Sequence, residues 1–221
     1  TMTKCIAIDT STKRFCLGVK NSSDYFDLSI EKSTDHAKEI FKRINDLLKL
    51  AGISLKELDF LAVGIGPGRF SGLRVSISAI KSISYVLDIP IVAISSLEFI
   101  GREMMYQNNK EKVILIEDAG RENIYIGSYA LKGQEFINLS EDRVAHINEI
   151  DFSETEALIA GSGLIRYPNI KIDSKSMLKK PGEEYLNSKT MIDHALEQFE
   201  KGNTIECMNL KPNYLFDEVA N

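Results

Sequence analysis

A glycine- and proline-rich loop between an apolar run and a helical pattern constrains this chain most. Residues 60–65 are apolar and predict a buried strand, and the seven residues that follow, 66–72, read Gly-Pro-Gly-Arg-Phe-Ser-Gly. From Leu73 onward apolar residues recur at helical spacing, which predicts a helix over 72–87 with a serine cap just before it. Proline fixes the backbone and glycine permits a sharp reversal, so the segment predicts a strand, a tight loop and a helix, an α/β unit.

The rest of the chain supplies strands in pairs and three further helices, one of them a short helix over 97–106. An apolar run over 4–9 ends in Asp9 and begins two predicted hairpins, and an amphipathic helix is predicted over 34–51. The second half again opens with strand patterns and closes with a helix. Its predicted strands cover 113–116, 124–131, 136–139 and 157–160, and its late helix covers 183–201. We therefore predict two lobes, 1–106 and 107–221, with the tail from about residue 206 packing back on the first lobe.

Composition excludes several classes of protein. The 221 residues are 43% hydrophobic and 27% charged, as in globular domains, and the net charge of −5 argues against tight direct binding of nucleic acid. The three cysteines lack the spacing of a zinc site or a disulfide framework. The sequence shows neither an apolar run of membrane-spanning length nor a signal peptide, so a cytoplasmic location without membrane attachment is expected.

The first candidate site follows the first strand. Asp9 and Thr10 begin the polar segment Asp-Thr-Ser-Thr, which could offer hydroxyls and backbone N–H groups to a phosphate, with the acid holding a metal-bound water. An ordinary turn, in which the aspartate bonds its own backbone, explains the same residues.

The glycine loop is the second candidate, through Gly66 and Gly68. A helix that begins after a glycine loop can bind an anion. The loop has neither the Gly-Lys-Ser end of a Walker loop nor a dinucleotide-binding pattern, and the same glycines could serve only close packing. Both interpretations stay open at this point.

A catalytic set cannot be recognised in the sequence. The three histidines, His36, His146 and His194, are far apart and form no metal-binding pattern. Glu117 and Asp118 are adjacent acids, but a strand-end turn accounts for them equally well. We therefore predict no catalytic residues, no bound metal and no cofactor.

Several motifs together resemble the TsaB (YeaZ) family. They are Ile-Ala-Ile-Asp-Thr-Ser at 6–11, the glycine loop with Leu-Arg at 66–74, Ile-Pro-Ile-Val-Ala-Ile-Ser-Ser-Leu-Glu at 89–98, Glu-Asp-Ala-Gly-Arg-Glu-Asn-Ile-Tyr at 117–125, Gly-Ser-Gly at 161–163, and Pro-Asn-Tyr-Leu at 212–215. The resemblance covers nearly the whole chain. The family usually has serine and threonine where this chain has Arg69 and Ser71.

The resemblance implies a two-lobed actin/hexokinase-like (ribonuclease H-like) fold with mixed sheets flanked by helices. It also implies a non-catalytic partner of TsaD, the paralogue that performs threonylcarbamoylation of the adenosine next to the tRNA anticodon, together with the ATPase TsaE. TsaD-like proteins carry a histidine pair where this chain has Ser96 and Ile100. Because isoleucine cannot ligate a metal, the catalytic metal site is expected to be lost, and tRNA is expected to be reached only indirectly.

The same resemblance implies that the two helices of the first lobe bind matching helices of TsaD, or a second copy of the chain when TsaD is missing. The predicted interface residues are Ala37, Ile40, Phe41, Ile44, Ser78, Ala79 and Ser82. Small residues on the second helix would let another helix approach closely. Two enzyme alternatives remain, a small-molecule phosphotransferase of the same fold and a metallopeptidase.

Overall fold

The structure is a computed structural model that describes residues 2–12, 14–31, 36–133, 135–153, 157–172, 177–179 and 187–215. Its helices are α1 (His36–Leu50), α2 (Phe70–Leu87), α3 (Ser96–Asn108), α4 (Gly163–Arg166) and α5 (Ser188–Glu200). Its strands are β1 (Lys4–Asp9), β2 (Arg14–Asn21), β3 (Asp24–Asp27), β4 (Ile30–Glu31), β5 (Phe60–Gly64), β6 (Ile91–Ile94), β7 (Lys112–Gly120), β8 (Asn123–Lys132), β9 (Glu135–His146), β10 (Asp151–Phe152), β11 (Leu158–Ala160), β12 (Lys171–Ile172) and β13 (Met177–Lys179). None of the helices in these ranges is long and apolar enough to cross a membrane.

The first compact unit, Thr1–Ser96 with Leu186–Asn213, is built on a mixed sheet in the order β3-β2-β1-β5-β6, with β4 also paired to β2. β1 and β2 form the antiparallel hairpin, while β5 and β6 run parallel to β1. The central strands are apolar on both faces, as expected of a sheet covered on two sides. α2 packs on β5, α1 packs on α2 and β2, and α5 packs on β1 and β2.

The C-terminal part of this unit joins it through the backbone. Ile205 and Ile91 exchange both backbone hydrogen bonds, and the Asn213 N–H donates to the Ile65 carbonyl at 2.7 Å. Phe199 of α5 stacks on Phe60 of β5 with ring centroids 4.4 Å apart. Residues 186–213 therefore belong with the first unit.

The second unit, Leu97–Tyr185 with Tyr214–Asn221, has a sheet in the order β13-β11-β7-β8-β9. β7 and β8 are antiparallel and β11 runs parallel to β7, so a hairpin beside a parallel strand occurs here as well. The fully buried Tyr129 lies under α3, where a Cβ on Gly101 would come within 2.6 Å of its ring. Because α3 packs there, the division falls after Ser96, whereas the predicted lobes divide after residue 106.

Several element boundaries differ from the prediction: α5 begins at Ser188 and not at 183, β7 continues past 116 to Gly120, and two further differences have a clear physical cause. α2 begins at Phe70, with Arg69 at the N-cap position and no side-chain cap bond, so Ser71 is not the cap. The Arg69 N–H instead donates to the Ser11 carbonyl at 2.7 Å, and this bond fixes where the helix starts. β9 extends to His146, well beyond the predicted 136–139, because its polar second half pairs with the apolar β8.

Candidate functional site

The first candidate site lies at the carboxyl end of β1, where Asp9 is fully buried. Its carboxylate accepts hydrogen bonds from the Ser11 N–H at 2.8 Å, the Ser11 hydroxyl at 2.6 Å and the Ser96 hydroxyl at 2.6 Å. The Ser96 oxygen in turn accepts from the Gly66 N–H at 3.1 Å. Burial raises the pKa of Asp9, while the hydrogen bonds from Ser11 and Ser96 oppose that rise.

The glycine loop packs directly on this turn. A Cβ on Gly64 would lie 1.7 Å from the Asp9 Oδ2 atom, and a Cβ on Gly72 would lie 1.9 Å from the Thr10 carbonyl oxygen. The Thr10 hydroxyl donates to the Gly72 carbonyl at 2.6 Å. A Cβ on Gly68 would also be too close, 2.6 Å from the Ser11 Cβ atom. The glycines thus allow the loop to pack closely on residues 9–11. We name this arrangement of 9–11, 64–72 and Ser96 the closed turn.

All four predicted cofactor-binding residues, Asp9, Thr10, Gly66 and Gly68, therefore lie in one cluster. Asp9 and Thr10 are fully buried, and their side-chain oxygens already have partners within the cluster. Their role toward a phosphate stays a prediction, and the geometry accounts for them by internal hydrogen bonding and packing.

The two positions at which the resemblance places the histidine pair of TsaD-like proteins, Ser96 and Ile100, lie on α3. The Ser96 hydroxyl is occupied between Asp9 and Gly66, and Ile100 is a buried apolar side chain that is 5% exposed. Neither side chain fits a metal-ligating role. Within the described ranges, no group of three or more histidine, cysteine, aspartate or glutamate side chains is arranged to hold a metal ion.

A second acid turn occurs at the end of β7. The Glu117 carboxylate accepts from the Ser162 hydroxyl and, at 3.3 Å, from the Ser162 N–H, and the Asp118 N–H donates to the Ser162 hydroxyl oxygen at 2.9 Å. Burial raises the pKa of Glu117 to about 6. The adjacent Asp118 is exposed and accepts from the Tyr167 hydroxyl at 3.1 Å. We name Glu117, Asp118 and 161–163 the second turn.

An open groove of about 270 Å³ runs between α1 and α2, and we name it the α1–α2 groove. It is lined by Ile40, Phe41, Arg74, Val75, Ser78, Ala79 and Ser82. Ile40 and Ala79 are each 2% exposed and form its floor, whereas Ser78 and Ser82 are exposed and Phe41 is 53% exposed. Small side chains and an apolar floor leave room for a partner helix to approach closely.

Five of the seven predicted interface residues line this groove. Ile44, buried at 2% exposure, is not among the lining residues, and the side chain of Ala37 lies outside the described residues. Ile44 faces inward because it lies one turn after Ile40 on the covered face of α1. Sequence reasoning missed Arg74 and Val75, although they lie four and three residues before Ser78 and so on the same side of α2. Arg74 is held over the Phe70 ring at 3.7 Å.

Comparison with known proteins gives a consistent assignment. The family model described as TsaD, tRNA N6-adenosine threonylcarbamoyltransferase, matches residues 31–179. The chain is 25% identical to the tRNA threonylcarbamoyladenosine biosynthesis protein TsaB of Escherichia coli, over 97% of this chain and 95% of that protein. It is 24% identical to TsaB of Haemophilus influenzae, over 97% and 94%.

Solved structures agree on the fold. YeaZ from Pseudomonas aeruginosa superposes with a TM-score of 0.84 at 23% identity, over 97% of this chain and all of that one. A second Pseudomonas aeruginosa structure, described as an uncharacterized protein similar to peptidase YEAZ, gives 0.86 at 23% identity over the same shares. These likenesses confirm the predicted actin/hexokinase-like class with mixed sheets flanked by helices. Since the model matches about two thirds of the sequence, the chain belongs to the TsaD family that it describes, and within that family to the TsaB (YeaZ) group.

Proposed function

We propose that this chain is a non-catalytic subunit required for threonylcarbamoylation of the adenosine next to the tRNA anticodon, where it binds and supports a TsaD-like catalytic protein. Family membership and the names of its relatives support the pathway. The observation that carries the partner role is the open α1–α2 groove, with a buried apolar floor and small exposed residues at its edge.

The closed turn supports the non-catalytic part of the proposal. A catalytic carboxylate has to reach substrate or a metal-bound water, yet Asp9 is fully buried and accepts three hydrogen bonds from its own unit. Ser96 and Ile100 replace the histidine pair expected in a TsaD-like enzyme. These features disfavour both a phosphotransferase and a metallopeptidase.

The groove supports association through helices. Ser78 and Ser82 lie one turn apart on the exposed side of α2, and both side chains are small. The Ser82 hydroxyl donates to the Ser78 carbonyl at 2.8 Å, so it lies close to the helix backbone. A stable interface needs about 800 Å² from each partner, which two adjoining helices of this length can supply. The same surface would form a homodimer in the absence of the TsaD-like protein.

Two further components of the proposed complex are tRNA and a TsaE-like ATPase. With a net charge of −5, it is suited to contacting tRNA through its partner instead of directly. A TsaE-like ATPase would join through the complex. We expect the isolated chain to bind tRNA only weakly, with an affinity that falls further as salt is raised.

Reconstitution from purified components tests the proposal. The chain, the TsaD-like and TsaE-like proteins of the same cell, the source of the threonylcarbamoyl group and unmodified tRNA should together yield the modified nucleoside, detected by mass spectrometry. Omitting the chain should abolish the product, and the chain without the TsaD-like protein should give none. Product formed at the full rate without the chain, or ATP turnover or peptide cleavage by the chain alone, would contradict the proposal.

A further inference from the structure

A larger cleft lies at the other end of α2, away from the α1–α2 groove. It has a volume of about 520 Å³, and its two walls are residues 84–90 and residues 204–208. Both walls belong to the first unit. We name it the α2 C-terminal cleft. Its size matches that of sites that take a small ligand or one or two side chains of a partner.

Large apolar side chains are exposed around this cleft. Tyr85 is 75% exposed and Met208 is 73% exposed, and both line it. Val86, next to Tyr85, is also 75% exposed. Single exposed apolar residues are ordinary, but an aromatic ring and a methionine grouped at the rim of a cavity are typical of a docking surface.

The charged residues lining the cleft, within the part of the chain that the structure describes, are two exposed acids, Asp88 and Glu206. Asp88 is the C-cap of α2 and adopts a left-handed conformation with φ of 55°. Glycine is the common residue in that conformation, and a negative charge opposes the negative end of the helix dipole. The last turn of α2 has no basic residue to offset it. The helix dipole therefore does not account for an acid at this position.

The walls of the cleft are held by backbone and side-chain bonds. The Ile205 N–H donates to the Ile91 carbonyl at 2.8 Å and the Ile91 N–H donates back at 3.0 Å. The Ser84 hydroxyl donates to the Ile89 carbonyl at 2.7 Å, which fixes the chain leaving α2. A binding site with a fixed frame loses less entropy when it is occupied.

We propose that the α2 C-terminal cleft docks a partner-protein segment that carries a lysine or arginine between apolar residues. The cation would lie between Asp88 and Glu206, next to the Tyr85 ring and the negative end of α2, where both a carboxylate pair and an aromatic face attract it. The flanking apolar residues would cover Tyr85 and Met208. The residues that line this cleft are different from those that line the α1–α2 groove, and Tyr85 lies one turn after Ser82 on the same side of α2.

The first test measures how the charge of the cleft affects the reactivity of Cys207, a free, partly exposed thiol that lines it. The full chain is treated with a cationic trimethylammonioethyl and an anionic sulfonatoethyl methanethiosulfonate, and modification of Cys207 is followed by mass spectrometry. Cys5 and Cys16 are buried and serve as slow internal references. Relative to glutathione, we expect the cationic reagent to be favoured by about fivefold, and the double variant Asp88→Asn, Glu206→Gln to lose that preference.

The second test measures docking with two synthetic peptides, in which leucines alternate with either lysine or glutamate. The lysine peptide should protect Cys207 from N-ethylmaleimide and bind, by fluorescence polarisation, at least tenfold more tightly than the glutamate peptide. That preference should be lost in the double variant, and Tyr85→Ala should weaken binding.

A matched control separates the cleft from the acidity of the whole chain. Glu122→Gln with Glu141→Gln removes the same charge from exposed positions of the second unit and should leave peptide binding unchanged. Equal binding of both peptides, equal losses in the control and cleft variants, or binding without protection of Cys207 would overturn the proposal. Because only the isolated chain is used, none of these results depends on TsaD association.

Discussion

The two units place an acid in the same local setting, yet they treat it differently. In each, the first strand of a hairpin ends near an acid, and a parallel neighbouring strand leads into a glycine turn beside that acid. Asp9 is completely enclosed by its loop and has donors from two residues. Glu117 is only partly buried and has donors from Ser162 alone. The comparison shows that one topology can hold either a fully buried carboxylate bonded by two residues or a partly exposed one bonded by a single serine, and that burial raises the pKa of both.

The largest effect is expected from adding a methyl group inside the closed turn. Gly64→Ala would place a Cβ 1.7 Å from the Asp9 carboxylate in a fully buried strand, where neither side can move easily. We expect a loss of about 3 kcal/mol in the free energy of unfolding, measured by urea denaturation.

The contrasting change is Gly163→Ala in the second turn, at a less crowded position than Gly64 or Gly161, where the Cβ would lie 3.0 Å from the Ile116 carbonyl oxygen. It should cost less than about 1 kcal/mol, since a shift of a few tenths of an ångström relieves the contact. Equal losses in the two variants would mean that the position of Gly64 is no more crowded than that of Gly163.

Removing one hydroxyl from each turn should produce the next largest difference. Ser96→Ala removes a donor to Asp9 and leaves the Gly66 N–H without its acceptor, both in buried surroundings, so we expect a loss of about 2 kcal/mol. Ser162→Ala removes comparable bonds where water can replace them, and should cost about half as much. Thermal or chemical unfolding of both variants measures the difference, and a larger loss for Ser162→Ala would reverse the ranking.

The smallest effect concerns pH. Burial raises the pKa of Glu117 in the folded chain from 4.5 to about 6, so between these values the folded state binds more protons than the unfolded state. Stability contributed by the protonated carboxyl is therefore present below about pH 4.5 and is lost as pH rises through about 6. Partial exposure reduces the loss to about 1 kcal/mol.

Unfolding curves of wild type and Glu117→Gln between pH 4 and about pH 7 isolate this contribution, because the glutamine variant lacks the titrating group. The stability difference between the two proteins should change in the direction described, with a midpoint between the folded and unfolded pKa values. A stability difference that stays constant with pH would mean that burial does not raise the pKa of Glu117.

The sequence was informative where one local pattern determined the structure. The helical spacing of Ile40 and Ile44 predicted α1, and the glycine loop between an apolar strand and a helix predicted the tight connection before α2. The predicted start of α2 is wrong because the Arg69 N–H donates a hydrogen bond to the carbonyl of Ser11, which lies 58 residues away in the chain. The second half of β9 was missed because its polar residues become a strand only through pairing with β8.

The candidate site residues show the same contrast between local motifs and long-range contacts. Asp9 and the loop glycines could be identified from their motifs, but the enclosure of Asp9 depends on Ser96, which comes from a distant strand–helix junction. Five of the residues that the resemblance assigns to an interface line the α1–α2 groove, whereas Ile44 is buried, because an apolar position on an amphipathic helix does not reveal which neighbour covers it. Arg74 was missed because periodicity alone assigns a charged residue to solvent.

The most direct test of the central claim is the affinity of this chain for the TsaD-like protein of the same cell, measured by isothermal titration calorimetry on three variants. Ser78→Arg puts a bulky charge into the α1–α2 groove, Ser96→Ala alters the closed turn, and Ser153→Arg makes the same change at an exposed turn of the second unit. Circular dichroism first confirms that each variant is folded. The account predicts that Ser78→Arg weakens binding by at least about a hundredfold, while the other two bind as wild type does. Wild-type affinity in Ser78→Arg, or an equal loss in Ser153→Arg, would contradict it.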